Sequence, residues 1–123
     1  MIRKIEDKMK IRLIKEFLDL LILRRLMDAP SSGHDLMQFI IRKYMVYLSP
    51  GIIYSTLYSL EREGFVEAKP HVKKRVYSIS GKGESLIKEY QASLNGIVEI
   101  AANFFKDLAA ISRRETLIEK KVK

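Results

Sequence analysis

The sequence predicts a mainly α fold of three helices, a two-stranded β-hairpin and a long closing helix. Three observations predict it. Apolar residues recur at helical spacing along most of the 123 residues. The period changes to strand-like alternation in one region only, FVEA (65–68) and RVYSI (75–79). Turn or capping chemistry marks the boundaries, at Asp28-Ala29-Pro30, Ser49-Pro50-Gly51, Gly64 and Ser80-Gly81. With a short turn between the second and third helices and the hairpin after them, this order is a winged helix-turn-helix.

The first helix is expected from about Ile5 to Met27, with Leu13, Ile14, Phe17, Leu18, Leu21, Ile22 and Leu26 on its apolar side. Leu20 and Leu23 widen that stripe, so the helix must pack on more than one side. Ala29-Pro30 ends it, because the residue before proline resists the helical region. Ser31 to Asp35 starts the second helix, with Ser32 able to cap and Asp35 in the first turn, and it runs to about Tyr44. Ser49 caps the third helix, Pro50 takes its first position, and Gly64 follows its last turn. The hairpin has KPHVKK (69–74) as a basic loop, with Pro70 excluded from a central strand. Ser80 caps the last helix, expected from Lys82 to beyond Ile111. Residues 1–81 would form the DNA-binding domain and 82–123 a dimerisation helix.

The formal net charge is +8 and the pI near 9.7, which favours a polyanionic partner. There is no cysteine, excluding disulfides and thiolate metal sites. No stretch reaches the roughly 18 apolar residues of a membrane span, and the N-terminus lacks a signal-peptide core, so a cytoplasmic protein without a membrane partner is expected. Ser32, His34 and Asp35 share one helix start and cannot form a nucleophile, base and orienter arrangement. There is no phosphate loop, and two histidines offer no metal cluster; no enzyme and no cofactor are expected.

On the third helix Ile53, Leu57 and Leu60 form the inward stripe, leaving Gly51, Ser55, Tyr58, Ser59 and Arg62 opposite. A recognition helix enters the major groove by its N-terminal residues, which here are Ser49, Gly51, Ile52 and Ser55. Serine can donate to phosphate or pair weakly with bases, and Ile52 can touch a thymine methyl. Gly51 permits close backbone approach at a helix end that attracts phosphate. Tyr54 borders the core with its hydroxyl available, and Tyr58 is more exposed. Lys69, Lys73, Lys74 and Arg75 cluster in the hairpin, where they would meet phosphates.

The runs DAPSSGHDLMQFI (28–40), LSPGIIYSTLYSLEREGFVEAKP (48–70) and RVYSISGKGESLI (75–87) resemble the PadR family of winged-helix transcriptional regulators. The carriers are Gly33-His34-Asp35-Leu36, Ser49-Pro50-Gly51 through Tyr54, Leu57 to Gly64, Arg75 with Tyr77, and Ser80 to Gly83. His34 stands where the family usually has tyrosine and Ile52 where it has threonine. Ser55, Tyr58 and Ser59 fill positions where it often carries Arg or Lys. The resemblance implies a DNA-binding homodimer, usually a repressor, joined through its terminal helices, with small aromatic effectors bound by some members.

Tyr90, Leu94, Ile97, Ala101, Phe104, Leu108 and Ile111 are spaced 4, 3, 4, 3, 4, 3, a heptad seam. A helix this long, roughly 45 Å, outreaches a small domain. Its seam is expected to form a homodimer interface with Phe17 and Leu21 of the first helix. Phe104 and Phe105 beside Ala101 and Ala102 suit either plain core or a pocket for a small apolar effector. The function expected is a regulator, a repressor, that binds double-stranded DNA at a pseudo-palindromic site. The alternative is a winged-helix protein-interaction adaptor.

Overall fold

The computed structural model describes the backbone of residues 4–122 and the side chains of residues 4–110. The first expected helix is divided in two, α1 (Lys4–Glu16) and α2 (Leu18–Leu26). Phe17 between them has φ −108° and ψ 22°, outside helical geometry. Its N–H still reaches the Leu13 carbonyl at 3.0 Å, and its carbonyl accepts from Leu21 at 3.1 Å, so the chain bends without breaking. No glycine or proline causes the bend. The Leu20 N–H is drawn to the carboxylate of Asp19 at 2.8 Å, a side-chain acceptor competing with the helix ladder.

The sheet corrects the two-stranded expectation. Ser31–Ser32 is a short strand, β1, that precedes α3 (Gly33–Tyr44). It pairs antiparallel with β3 (Lys74–Ile79), and β2 (Val66–His71) pairs with the other side of β3, giving the order β1-β3-β2. Ser32 also caps α3, accepting from the Asp35 N–H at 3.1 Å. The hairpin is tighter than expected too. Lys69, Pro70 and His71 are strand residues, and only Val72-Lys73 turns the chain. Pro70 is tolerated because β2 lies at the sheet edge.

α3 ends at Met45, left-handed at φ 55°, and Lys10 donates to the Tyr44 carbonyl at 3.1 Å. α4 (Pro50–Arg62) closes in a Schellman turn at Gly64, whose φ is 82°. The Phe65 N–H reaches the Leu60 carbonyl at 2.8 Å, and the Gly64 N–H that of Glu61 at 3.0 Å. This motif turns the chain from α4 straight into β2. α5 (Gly81–Ala92) is capped by Ser80, which accepts from the Gly83 N–H at 3.1 Å and donates to the Gly64 carbonyl at 2.6 Å.

One core holds these elements together. Ile22 and Leu23 of α2, Leu36 and Ile40 of α3, and Ile53 and Leu57 of α4 are fully buried, with Val66, Tyr77 and Ile87 closing the sheet side. Truncating one of these leucines to alanine costs about 2–5 kcal/mol. The chain forms two compact units, Met1–Lys88 and Glu89–Lys123. The second contains α6 (Leu94–Val122), which follows a break at Ser93 rather than continuing α5 as expected. The Ser93 N–H is shared between the carbonyls of Glu89 and Tyr90 at 3.2 and 3.1 Å, and the Ser93 carbonyl accepts from Ile97 at 3.0 Å, so the ladder carries on through the break with one bifurcated bond.

Candidate nucleic-acid interface

The α4 N-terminus is built to leave donors open. Ser49 is extended at the N-cap position, but its hydroxyl makes no cap bond; its carbonyl accepts the Ile52 N–H at 3.2 Å. Pro50 has no N–H to satisfy. Gly51 is exposed, and nothing lies within 4 Å of where its Cβ would be. Surface can therefore approach the backbone of this first turn closely. Ser55, Tyr58 and Arg62 are exposed as well, while Ile52 is half-buried against the core.

Ser59 and Tyr54 are both half-buried, Tyr54 beside the core as expected and Ser59 less open than its place on the helical wheel implies. Ser59 lines a cleft of about 300 Å³ with Lys15, Glu16, Asp19 and Glu63, a cleft whose rim the exposed Ser55 also joins. Three carboxylates against one lysine make that cleft unfavourable to phosphate. Tyr54 packs its ring over Gly33, where a Cβ would lie 2.8 Å from Cζ. Gly33 is thus what lets the α3 start and the Tyr54 ring share one space. Tyr58 lies beside it, with ring centroids 6.5 Å apart.

Pairing in the hairpin sorts its charges by face. Lys69 opposite Val76, and His71 opposite Lys74, share one face of the sheet. Arg75, opposite Pro70, shares the other with buried Tyr77. Arg75 accordingly donates to Glu61 of α4 at 2.9 Å and lies 5.9 Å from the Tyr77 ring centre. Burial raises the Tyr77 phenol above its ordinary pKa, and the nearby Arg75 charge opposes that shift. The side chains of Lys69, Lys73 and Lys74 are exposed and carry no hydrogen bond or ion pair among the described residues. The four basic residues read as one cluster are thus three free cations and one tether between hairpin and helix.

A second group of cations surrounds Phe39. Arg25 stacks 4.0 Å and Lys43 lies 5.5 Å from its ring centre, and with Asp35, Gln38 and Arg42 they line a cleft of about 460 Å³. Arg24 and Arg25 hold Asp28 at 3.0 and 3.7 Å, and the Arg24 hydrogen bond keeps that carboxyl below its ordinary pKa. The sequence signal was the basic pair in the last turn of α2 and again of α3.

In the second unit Leu94, Ile97, Ala101, Phe104 and Leu108 all face solvent along α6, with Tyr90 exposed ahead of the break. Phe104 is 57% and Leu108 51% exposed. Phe104 and Phe105 meet edge to face at 5.2 Å. Ile111 lies outside the residues whose side chains are described. In the first unit Phe17 is 48% exposed, and Leu21 is half-buried against the core. Among the described residues there is no group of three metal-ligating side chains and no helix long and apolar enough to cross a membrane.

No family model matches the sequence, and no curated protein matches it. Solved structures do. A transcriptional regulator from Thermoplasma acidophilum superposes with TM-score 0.67 at 23% identity over 78% of this chain and 95% of its own. A PadR-like transcriptional regulator from Bacillus cereus gives 0.66 at 20% identity over 76% and 96%. PadR from Bacillus subtilis, solved in complex with operator DNA, gives 0.55 at 21% identity over 60% and 46%. The chain has the winged-helix fold of PadR-family transcriptional regulators.

Proposed function

We propose that the protein is a DNA-binding transcriptional regulator, a repressor, that occupies a pseudo-palindromic site as a homodimer in the cytoplasm. The observation that carries this reading is a pair of exposed features on successive elements of the chain. The open N-terminal turn of α4 is joined through the Gly64 turn to a hairpin with three unpaired lysines. The helix would enter the major groove by Gly51 and Ser55, with the Ser49 hydroxyl and the Gly51 N–H on phosphate. The lysines would neutralise the backbone beside it. That a structure of this fold was solved in complex with operator DNA supports a DNA partner.

What supports the dimer is the apolar row on α6. Leu94, Ile97, Phe104 and Leu108 at heptad spacing, all exposed in a single chain, would be buried when a second copy supplies the same row. Phe17 and Leu21 would add to the interface. Two-fold symmetry then spaces two recognition helices by one DNA turn, about 34–36 Å.

The test is selection from a random duplex pool by the full chain, followed by anisotropy titration of the recovered sequence. Two half-sites in inverted repeat, bound more tightly than scrambled duplex, are expected. Recovery of no sequence above background, with equal weak binding of all duplexes, sinks the reading in favour of a protein-interaction adaptor.

A further inference from the structure

We propose that the hairpin tip reads the minor groove through Val72, and that this residue imposes a preference for A·T pairs beside the recognition half-sites. The inference rests on the DNA-binding reading above. The tip is built against its own conformational preferences. A two-residue hairpin turn of this kind needs positive φ at both central positions, which is why Asn-Gly and Asp-Gly dominate there. Here the two residues are Val72 at φ 36° and Lys73 at φ 63°. A β-branched residue at positive φ is an outlier, because its branched Cβ crowds the neighbouring carbonyl. The fold draws no packing in return. Val72 is 81% exposed and is not among the residues packed on the core. Backbone strain of this sort persists where a task other than folding holds it.

The chemistry around the tip says which task. Lys73 and Lys74 follow Val72, and Lys69 stands on the adjacent strand, all without partners. Cations are drawn to a narrow A·T-rich minor groove, where the negative potential is strongest. The floor of such a groove offers only acceptors, and lysine offers only donors. A G·C pair adds the guanine amino group, a donor that projects into the groove. Val72 has no acceptor to give it, so seating the valine there would bury a donor unpaired. A·T pairs lack that donor, and their floor acceptors can be met by the neighbouring lysines while the methyl groups pack on the groove wall. An apolar tip between free lysines is therefore suited to one groove floor and not the other.

The test uses the full-length chain and the duplex it selects, in three versions. The pairs flanking the half-sites are A·T, G·C, or inosine·C, which lacks the amino group. Wild-type protein should bind the A·T and inosine versions alike and the G·C version more weakly. Val72→Gly, which suits the turn, should melt no lower than wild type. It should lose about a hundredfold in affinity for the A·T duplex, about tenfold for the buried valine side chain of each copy. It should lose most of its discrimination against the G·C duplex, with an unchanged salt slope, since the lysines remain. Val72→Asn, also suited to positive φ, should lose the A·T preference because its amide oxygen can accept from guanine. A Val72→Gly protein that keeps the A·T preference, or a wild type that has none, overturns the inference and leaves the regulator reading intact. A wild type that selects no duplex overturns both.

Discussion

Alanine in turn at Lys69, Lys73, Lys74 and Arg75 separates phosphate contacts from the tether. As sequence, the four are equivalent basic residues within seven positions. In the fold the three lysine side chains have no partner, whereas Arg75 is bonded to Glu61 at 2.9 Å. A lysine that neutralises one phosphate contributes about 0.9 to the slope of log affinity against log salt, and in a homodimer each substitution is made twice. Each lysine substitution is therefore expected to flatten the slope by about 1.8. Arg75→Ala should leave the slope nearly unchanged, because that charge is already answered by a carboxylate. Its cost falls on the hairpin's angle to α4. For a pair whose side chains are 54% and 34% exposed, that is at most about 1 kcal/mol of stability after solvent screening. The assay is fluorescence anisotropy of the selected duplex across a salt series, with wild type and the four variants in parallel. A slope that drops as much for Arg75→Ala as for the lysines would refute the division. It would mean that the ion pair opens and Arg75 turns to phosphate on binding.

Two further outcomes are expected. At Gly83 a Cβ would strike the Phe65 carbonyl oxygen and lie 2.8 Å from Ile79 Cγ1, and that carbonyl is already fixed by the Ser80 N–H at 3.0 Å. Gly83→Ala should cost about 1–3 kcal/mol or more. Gly81→Ala, with nothing within 4 Å, should be neutral or stabilising by up to about 1 kcal/mol, so melting temperatures measured at one protein concentration should move in opposite directions. Leu108→Asp places a charge in the exposed α6 row without touching the core of the first unit, and sedimentation should show a dimeric wild type and a monomeric variant. A monomeric wild type at micromolar concentration would remove the seam from the account.

The helices after Pro30 and the alternating strands were legible because periodicity and caps agree there. The Gly64 turn shows it, with glycine where positive φ is needed. What was not legible depends on single residues or distant partners. β1 has two residues, too few for any alternation, and it exists because β3 offers it backbone pairing. The bends at Phe17 and Ser93 carry no proline or glycine. Val72-Lys73 lacks the residues that announce a tight turn, so the connection read as a longer loop. In the site, the type and neighbourhood of the basic residues were visible, but their freedom was not. Glu61 and Arg75 are fourteen positions apart, and only packing of the sheet beside α4 brings them together. Ser59 reads as outward from the helical wheel until the bend between α1 and α2 sets Asp19 and Glu16 against it.

The same placement explains how a protein of net charge +8 can present a helix with one basic residue, Arg62, flanked by Glu61 and Glu63. Such a helix gains little from phosphate attraction, so on the proposed reading it supplies geometry and weak base contacts while the hairpin supplies affinity. Three lysines per copy would leave a single copy near the range of non-specific binding, roughly 10⁻⁴–10⁻⁶ M at physiological salt. Joining two copies raises the effective concentration of the second site once the first is bound. Specific occupancy then requires both half-sites in register, because neither copy holds alone. On the proposed reading the α6 row and the charge-poor α4 serve the same end. Strengthening the helix with arginine would raise affinity for any duplex, and the selectivity that comes from needing two weak copies would fall.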